Sequence, residues 1–184
     1  MNFSISANHK ELISAINKTI NDFDEHYWLE VDKNSQFPDE FVKKIAKGGW
    51  LGIALPEEYG GSNLGITEAA LMMTTIAENG GMTAASSIHM NIFGPSSLVK
   101  FGTKKQKEEW LPNIINGNTK MCFAVTEPDS GLDTTRLKTK AIIKGNKYIV
   151  NGRKIWTSTA QITNKIMLLA RTSERDPKNP TEGL

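Results

Sequence analysis

Residues 109–128 read EWLPNIINGNTKMCFAVTEP, and the change of period inside this stretch decides the fold. Before Gly117, the residues Trp110, Leu111, Ile114 and Ile115 fall at helical spacing, with Pro112 weakening the regularity. After Gly117, Met121, Phe123 and Val125 alternate with Cys122, Ala124 and Thr126. That is the period of a strand, and apolar residues on both faces predict burial on both sides. Thr126-Glu127-Pro128-Asp129-Ser130-Gly131 then breaks the strand with a loop. A helical part is therefore followed by a strand part.

Upstream, Leu12, Ile13, Ile16, Ile20 and Phe23 line one face of an amphipathic helix. Pro38 suits a first helical position, Phe41 and Ile45 lie four residues apart, and Gly48-Gly49 supplies a stop. Leu55-Pro56-Glu57-Glu58-Tyr59-Gly60-Gly61 is a turn-rich connection. A helix is expected from about Thr67 to Asn79, ending at Gly80-Gly81. Another begins near Thr83, and its small residues (Ala84, Ala85, Ser86, Ser87) suit a central, closely packed position. Thr103-Lys104-Lys105-Gln106 reads as a capping box.

Downstream, Ala141-Ile142-Ile143 and Tyr148-Ile149-Val150 flank Lys144-Gly145-Asn146-Lys147, a hairpin signal. Asn151-Gly152 reads as a second hairpin turn, leading into Lys154-Ile155-Trp156-Thr157-Ser158. Ile166-Met167-Leu168-Leu169-Ala170 reads as a further buried strand, and the polar tail from Ser173 to Leu184 closes on nothing.

The charges divide at the same place. Residues 1–118 hold 10 Lys and Arg against 14 Asp and Glu, whereas residues 119–184 hold 12 against 6. Two structural units, 1–118 and 119–184, follow from the coincidence of charge step and period change. A phosphate-bearing ligand and a plain solvated basic surface both fit the second unit, and charge alone favours the surface. A total of +2 gives no reason to expect nucleic acid. No apolar run approaches the roughly 18 residues of a membrane span. The N-terminus lacks the pattern of a secretory leader, and a single cysteine, Cys122, makes no internal disulfide. A reducing cytoplasm is the expected location.

Familiar catalytic signatures are missing. No glycine-rich dinucleotide or phosphate loop occurs. His9, His26 and His89 share no metal-ligand spacing, so no metal is expected. His9 and His26 read as surface residues and His89 as a packed core histidine. Cys122 reads as an inert buried thiol. Glu127, just before Pro128, reads as fixing its loop rather than as a catalytic base.

Taken in order, Met121-Cys122-Phe123-Ala124-Val125-Thr126-Glu127-Pro128, Leu137-Lys138-Thr139-Lys140-Ala141 and Asn151-Gly152-Arg153-Lys154-Ile155-Trp156-Thr157-Ser158 resemble the acyl-CoA dehydrogenase family. The Leu55 to Gly61 turn and the segment Phe101 to Pro112 resemble it as well, so the likeness covers almost the whole chain. It implies an α+β chain: an all-helical domain over 1–118, then an incomplete, antiparallel β-barrel-like middle domain over 119–184. On this resemblance the 184 residues are expected to stop before the family's C-terminal helical bundle. The implied activity is FAD-dependent α,β-dehydrogenation of an acyl-CoA thioester in fatty acid metabolism. The implied partners are electron-transfer flavoprotein or another acceptor and further copies of the chain in a homo-oligomer.

The resemblance also assigns roles. Phe123, Val125 and Thr126 would run along the flavin edge, with the Thr126 hydroxyl and nearby amides as donors. Fixed donors there favour reduction, because a reduced flavin gains negative charge around N1 and the C2 carbonyl. Trp156 would cover one flavin face, Ser158 would supply a hydroxyl near N5, and Thr157, Gly131 and Leu132 would complete the cofactor-binding set. Without the resemblance, Thr126 and Ser158 read as strand-end polar residues and Trp156 as core.

Two departures stand out. Leu132 replaces a family serine that touches the acyl-CoA, so the substrate contact there becomes apolar or comes from backbone. The family's proton-abstracting glutamate lies in the C-terminal domain, so no catalytic residue is assigned here, and the 184 residues alone are expected to be inactive. Two other readings keep the fold: a flavin-dependent monooxygenase or oxidase, and a non-catalytic binding module.

Overall fold

The structure, a computed structural model, describes residues 4–184, and the chain divides into two compact units between Lys120 and Met121.

The first unit is helical. Helix α1 (Ala7–Ile20) starts where the Ser6 hydroxyl accepts from the His9 amide at 3.2 Å. Helix α2 (Glu25–Lys33) starts where Asp24 accepts from the Tyr27 amide at 2.9 Å. Such side-chain acceptors satisfy amides that have no partner within the helix. The periodicity reading passes over α2, because charged residues interrupt its short apolar run and only Val31 is buried. Helix α3 (Asp39–Lys47) carries Asp39 and Glu40 in its first turn and Lys44 and Lys47 in its last, matching the helix dipole. Pro38 caps it, one position before the first helical residue. Helices α4 (Ile66–Phe93), α5 (Pro95–Phe101) and α6 (Lys104–Ile115) follow. The capping box at α6 forms as expected. Gln106 donates its amide to the Thr103 hydroxyl at 3.3 Å, and Thr103 donates its amide to Gln106 Oε1 at 2.9 Å.

The core of this unit joins Ile16 and Ile20 of α1, Phe41 and Ile45 of α3, and Met72, Ile76 and Ile88 of α4. Each such side chain stabilises by about 1.5–3 kcal/mol on full burial. The Phe41 ring meets Phe23 and Trp28 edge to face, with centroids 5.4 and 5.0 Å away. The two helices expected on either side of Gly80-Gly81 are one element with a break. Gly81 adopts φ 62°, ψ −159°, a region essentially reserved for glycine. Gly80 leaves room for α2, since a Cβ there would lie 2.6 Å from Trp28 Cε2.

The second unit holds two separate pairs of strands. β1 (Met121–Ala124) runs parallel to β4 (Lys165–Leu168), with Cys122 opposite Ile166. β2 (Lys140–Lys144) and β3 (Lys147–Asn151) form the expected antiparallel hairpin around Gly145, at φ 63°. The expected antiparallel β-barrel is therefore corrected. The described strands form no closed barrel, and the pairing of β1 with β4 is parallel. Closure requires every strand to be bonded on both edges, and each strand here has one strand partner. Burial on both faces is corrected too. On one face Cys122 is buried but its β4 neighbour Ile166 is 61% exposed, and on the opposite face Phe123 is 38% exposed, so each face is covered only in part by the described residues.

The tail does close on something. The buried Arg171 guanidinium donates to the carbonyls of Thr135 and Pro180, both at 2.6 Å, and of Glu182 at 2.9 Å. Burying a guanidinium requires such acceptors, and the backbone around residue 180 folds back to provide them.

Gly81→Ala is expected to destabilise the protein by about 1–3 kcal/mol through backbone strain alone, since the space beside it is open. Gly131→Ala, at an open position without positive φ, should stay within about 0.5 kcal/mol of wild type. Urea denaturation of both variants checks the contrast.

Candidate functional site

The strand unit is organised around one carboxylate. Glu127 follows β1 by three residues and is 5% exposed. Its Oε2 accepts from the Lys138 amide at 2.6 Å. Its Oε1 accepts from the Thr139 amide at 2.8 Å, from the Thr139 hydroxyl, and from Lys154 Nζ at 3.0 Å. Burial pushes the Glu127 pKa up. The bonds from Thr139, Lys138 and Lys154 outweigh that and hold it at about 2. Thus Glu127 stays charged and fixes three segments, consistent with its expected loop-fixing role.

Lys154 is the second fixed point. It donates to the Val125 carbonyl at 2.7 Å as well as to Glu127, and its side chain is 9% exposed. The next residue, Ile155, donates its amide to the Thr126 carbonyl at 2.9 Å. The segments on either side of the loop therefore run together at Val125–Thr126 and Lys154–Ile155. Asn151-Gly152 does not form a second hairpin turn. Gly152 instead serves close approach, since a Cβ there would lie 2.2 Å from the Thr139 hydroxyl that supports Glu127.

The expected site residues fall as follows. Phe123 sits on β1, partly exposed, and Val125 and Thr126 follow it half-buried. The Trp156 indole is 85% exposed, Thr157 is half-buried and Ser158 exposed. Trp156 and Thr159 both have positive φ, 57° and 62°, which is strained for side chains of this kind. Strain on both sides of Thr157-Ser158 marks a segment held in an unusual shape. Among the described residues, the Thr126 amide and hydroxyl and the Thr157 and Ser158 hydroxyls make no hydrogen bond. Gly131 and Leu132 lie exposed on the loop, Leu132 completely so. No hydrogen bond ties these two residues to the Trp156 segment.

Sequence reasoning missed Lys154, because nothing local separates a cation that turns inward from the exposed Arg153 beside it. Cys122 is buried, as expected, with the Thr163 hydroxyl 3.4 Å from its sulfur. His26 is exposed, whereas His9 pairs with Glu68 at 2.9 Å. His89 is half-buried rather than core, with Nδ1 2.9 Å from the Ser86 carbonyl. No cluster of three metal-ligating side chains occurs among the described residues, and no described helix is long and apolar enough to cross a membrane.

Comparison with known proteins follows the same two parts. Residues 6–118 match the acyl-CoA dehydrogenase N-terminal domain, and residues 122–184 match the acyl-CoA dehydrogenase middle domain. Acyl-CoA dehydrogenase FadE12 of Mycobacterium tuberculosis is 31% identical over 172 residues, which cover 94% of this chain and 44% of that protein. The chain thus spans less than half the length of that relative. The crystal structure of acyl-CoA dehydrogenase from Geobacillus kaustophilus superposes with a TM-score of 0.87 at 24% identity, covering 100% of this chain and 48% of that one. The FAD complex of PigA gives 0.84 at 25% identity, covering 95% and 46%.

Glu127 makes a testable contribution to acid stability. Its stabilisation is complete above the ordinary carboxylate range near pH 4.5 and disappears as pH falls towards 2. It amounts to about 1–3 kcal/mol. Glu127→Gln leaves the Lys154 charge buried without its partner and should cost about 3–5 kcal/mol at pH 7. The gap between wild type and Glu127→Gln in denaturant midpoint should shrink between pH 5 and pH 2.5.

Proposed function

The chain belongs to the acyl-CoA dehydrogenase family, and we propose that it provides the helical and flavin-edge parts of an enzyme that uses FAD to dehydrogenate an acyl-CoA thioester between its α and β carbons. One observation carries this reading: the bonds from Lys154 to Val125 and from Ile155 to Thr126 bring two segments together beside unengaged donors and an exposed indole.

The residues fit a flavin. A flat ring system with acceptors along one edge needs donors in a row and an apolar wall. The unbonded Thr126 amide and hydroxyl and the Thr157 and Ser158 hydroxyls offer the donors. Trp156 offers the wall, and its indole adds a large planar contact that stacking on the isoalloxazine would bury. Phe123 and Val125 extend the apolar border. When bound, FAD supplies the acceptor for the two hydrogens leaving the substrate. Gly131 and Leu132 project from the loop that Glu127 anchors, where Leu132 gives an apolar contact for the acyl portion.

Glu127 does not serve as the base that removes the α-proton. General bases work best with a pKa near the working pH, and this carboxylate lies near 2 with both oxygens engaged. In this reading residues 1–118 are the helical domain and 119–184 part of the middle domain, and the 184 residues do not complete the reaction by themselves. An electron-transfer flavoprotein or similar acceptor, a homo-oligomeric state and a cytoplasmic location belong to the same reading.

Mixing the chain with FAD and following flavin fluorescence tests the proposal. Saturable quenching is expected, and its absence in the wild-type chain refutes the flavin site. Trp156→Ala should weaken FAD binding about tenfold, equivalent to about 1.4 kcal/mol. With FAD bound, an assay using acyl-CoA and an artificial electron acceptor should show no turnover at rates typical of enzymes, about 1–1000 per second.

A further inference from the structure

We propose that Lys154 is a positioning residue that raises the electron affinity of the bound flavin through the Val125–Thr126 peptide. The inference rests on the flavin site proposed above and assigns a role to a residue outside its contact set.

The Val125 carbonyl and the Thr126 amide belong to one conjugated peptide unit. Lys154 Nζ donates to that carbonyl at 2.7 Å. A cation bonded to the oxygen draws electron density through the peptide and makes the amide N–H on its far end more positive. The Thr126 amide is the N–H so affected, and it has no partner among the described residues. It is therefore a stronger donor than an ordinary peptide amide, aimed by backbone rather than by a mobile side chain.

Burial makes the effect large enough to matter. The Lys154 side chain is 9% exposed, so solvent and salt screen it poorly. Glu127 keeps the ammonium in place without neutralising the bond to Val125, because its carboxylate is itself held by the Lys138 and Thr139 amides. Ile155 fixes the next peptide through the Thr126 carbonyl at 2.9 Å, which leaves the polarised amide little freedom to turn. A reduced flavin carries negative charge that the oxidised form lacks. A strengthened, fixed donor therefore favours reduced over oxidised flavin, rather than both equally.

The chain reconstituted with FAD provides the test, read as the flavin midpoint potential against a reference dye. In Lys154→Met the equilibrium for two-electron reduction should fall about tenfold, a shift of about 30 mV to lower potential. Reduced FAD should lose more affinity than oxidised FAD. Lys154→Arg, which keeps the cation, should return the equilibrium to within about twofold of wild type. A Lys154→Met protein that binds FAD and keeps the wild-type potential overturns this inference alone. A wild-type chain that binds no FAD overturns the flavin site and this inference with it. If Lys154→Met does not fold, Lys154→Gln, which removes the cation but keeps a polar side chain, is read by the same measurement, with a shift in the same direction expected and an unchanged potential again overturning the inference.

Discussion

A buried carboxylate cannot remain charged unless its oxygens are bonded, and the strand unit is arranged so that those of Glu127 are. Two amides, a hydroxyl and an ammonium converge on it from residues 138, 139 and 154. Each donor belongs to a different stretch of chain from Glu127 itself, so satisfying one charge fixes how those stretches lie. The loop after β1, the entry to the hairpin and the exit from it are therefore positioned together. The short two-stranded sheets of this unit supply few bonds of their own beyond each pair. Removing the carboxylate would leave Lys154 charged and nearly enclosed, which is worse than losing one bond.

The legible features were those written in neighbouring residues. The capping box at Thr103 and Gln106, the hairpin around Gly145 and the apolar stripe of α1 are each decided within a turn or two of chain. Gly80-Gly81 was legible as an interruption, although its physical reasons differ between the two residues. Gly81 meets a backbone demand, and Gly80 meets the approach of Trp28 from another helix. The second reason cannot be read locally. The same holds for Gly152, whose Asn-Gly context suggests a turn but whose task is to let Thr139 come close. Lys154 was illegible for a related reason. Its chemistry is that of any lysine until Glu127, 27 residues earlier, is brought beside it.

Strand pairing is the clearest case of information that local pattern lacks. The apolar pattern of β1 predicts burial on both sides, and that of β4 predicts a buried strand. Yet Ile166 and Phe123 are open to solvent. The pattern records which faces are suited to cover, whereas exposure records which faces the described residues actually cover. β2 and β3 carry apolar side chains that are open as well, with Ile143 67% and Tyr148 58% exposed. Parallel pairing of β1 with β4 needs a crossover of about forty residues, and no local period encodes its direction.

The position of Glu127 beside the proposed flavin edge also explains a division of labour in charge. An unpaired carboxylate charge near a ring that becomes negative on reduction would oppose that reduction. Tied to Lys154, the pair presents its positive member to the Val125 carbonyl and keeps its negative member turned to the Lys138 and Thr139 amides. The orientation of the pair, more than its presence, then decides the sign of its influence on the strand end. With lysine nearest the peptide, the Thr126 amide is strengthened as a donor. With the partners exchanged, a carboxylate facing the carbonyl would repel it, and the same peptide would turn away from the position where its N–H is useful. The fold therefore places structural and electrostatic roles on one ion pair, and the unbonded amide at Thr126 is where both come to the surface of the site.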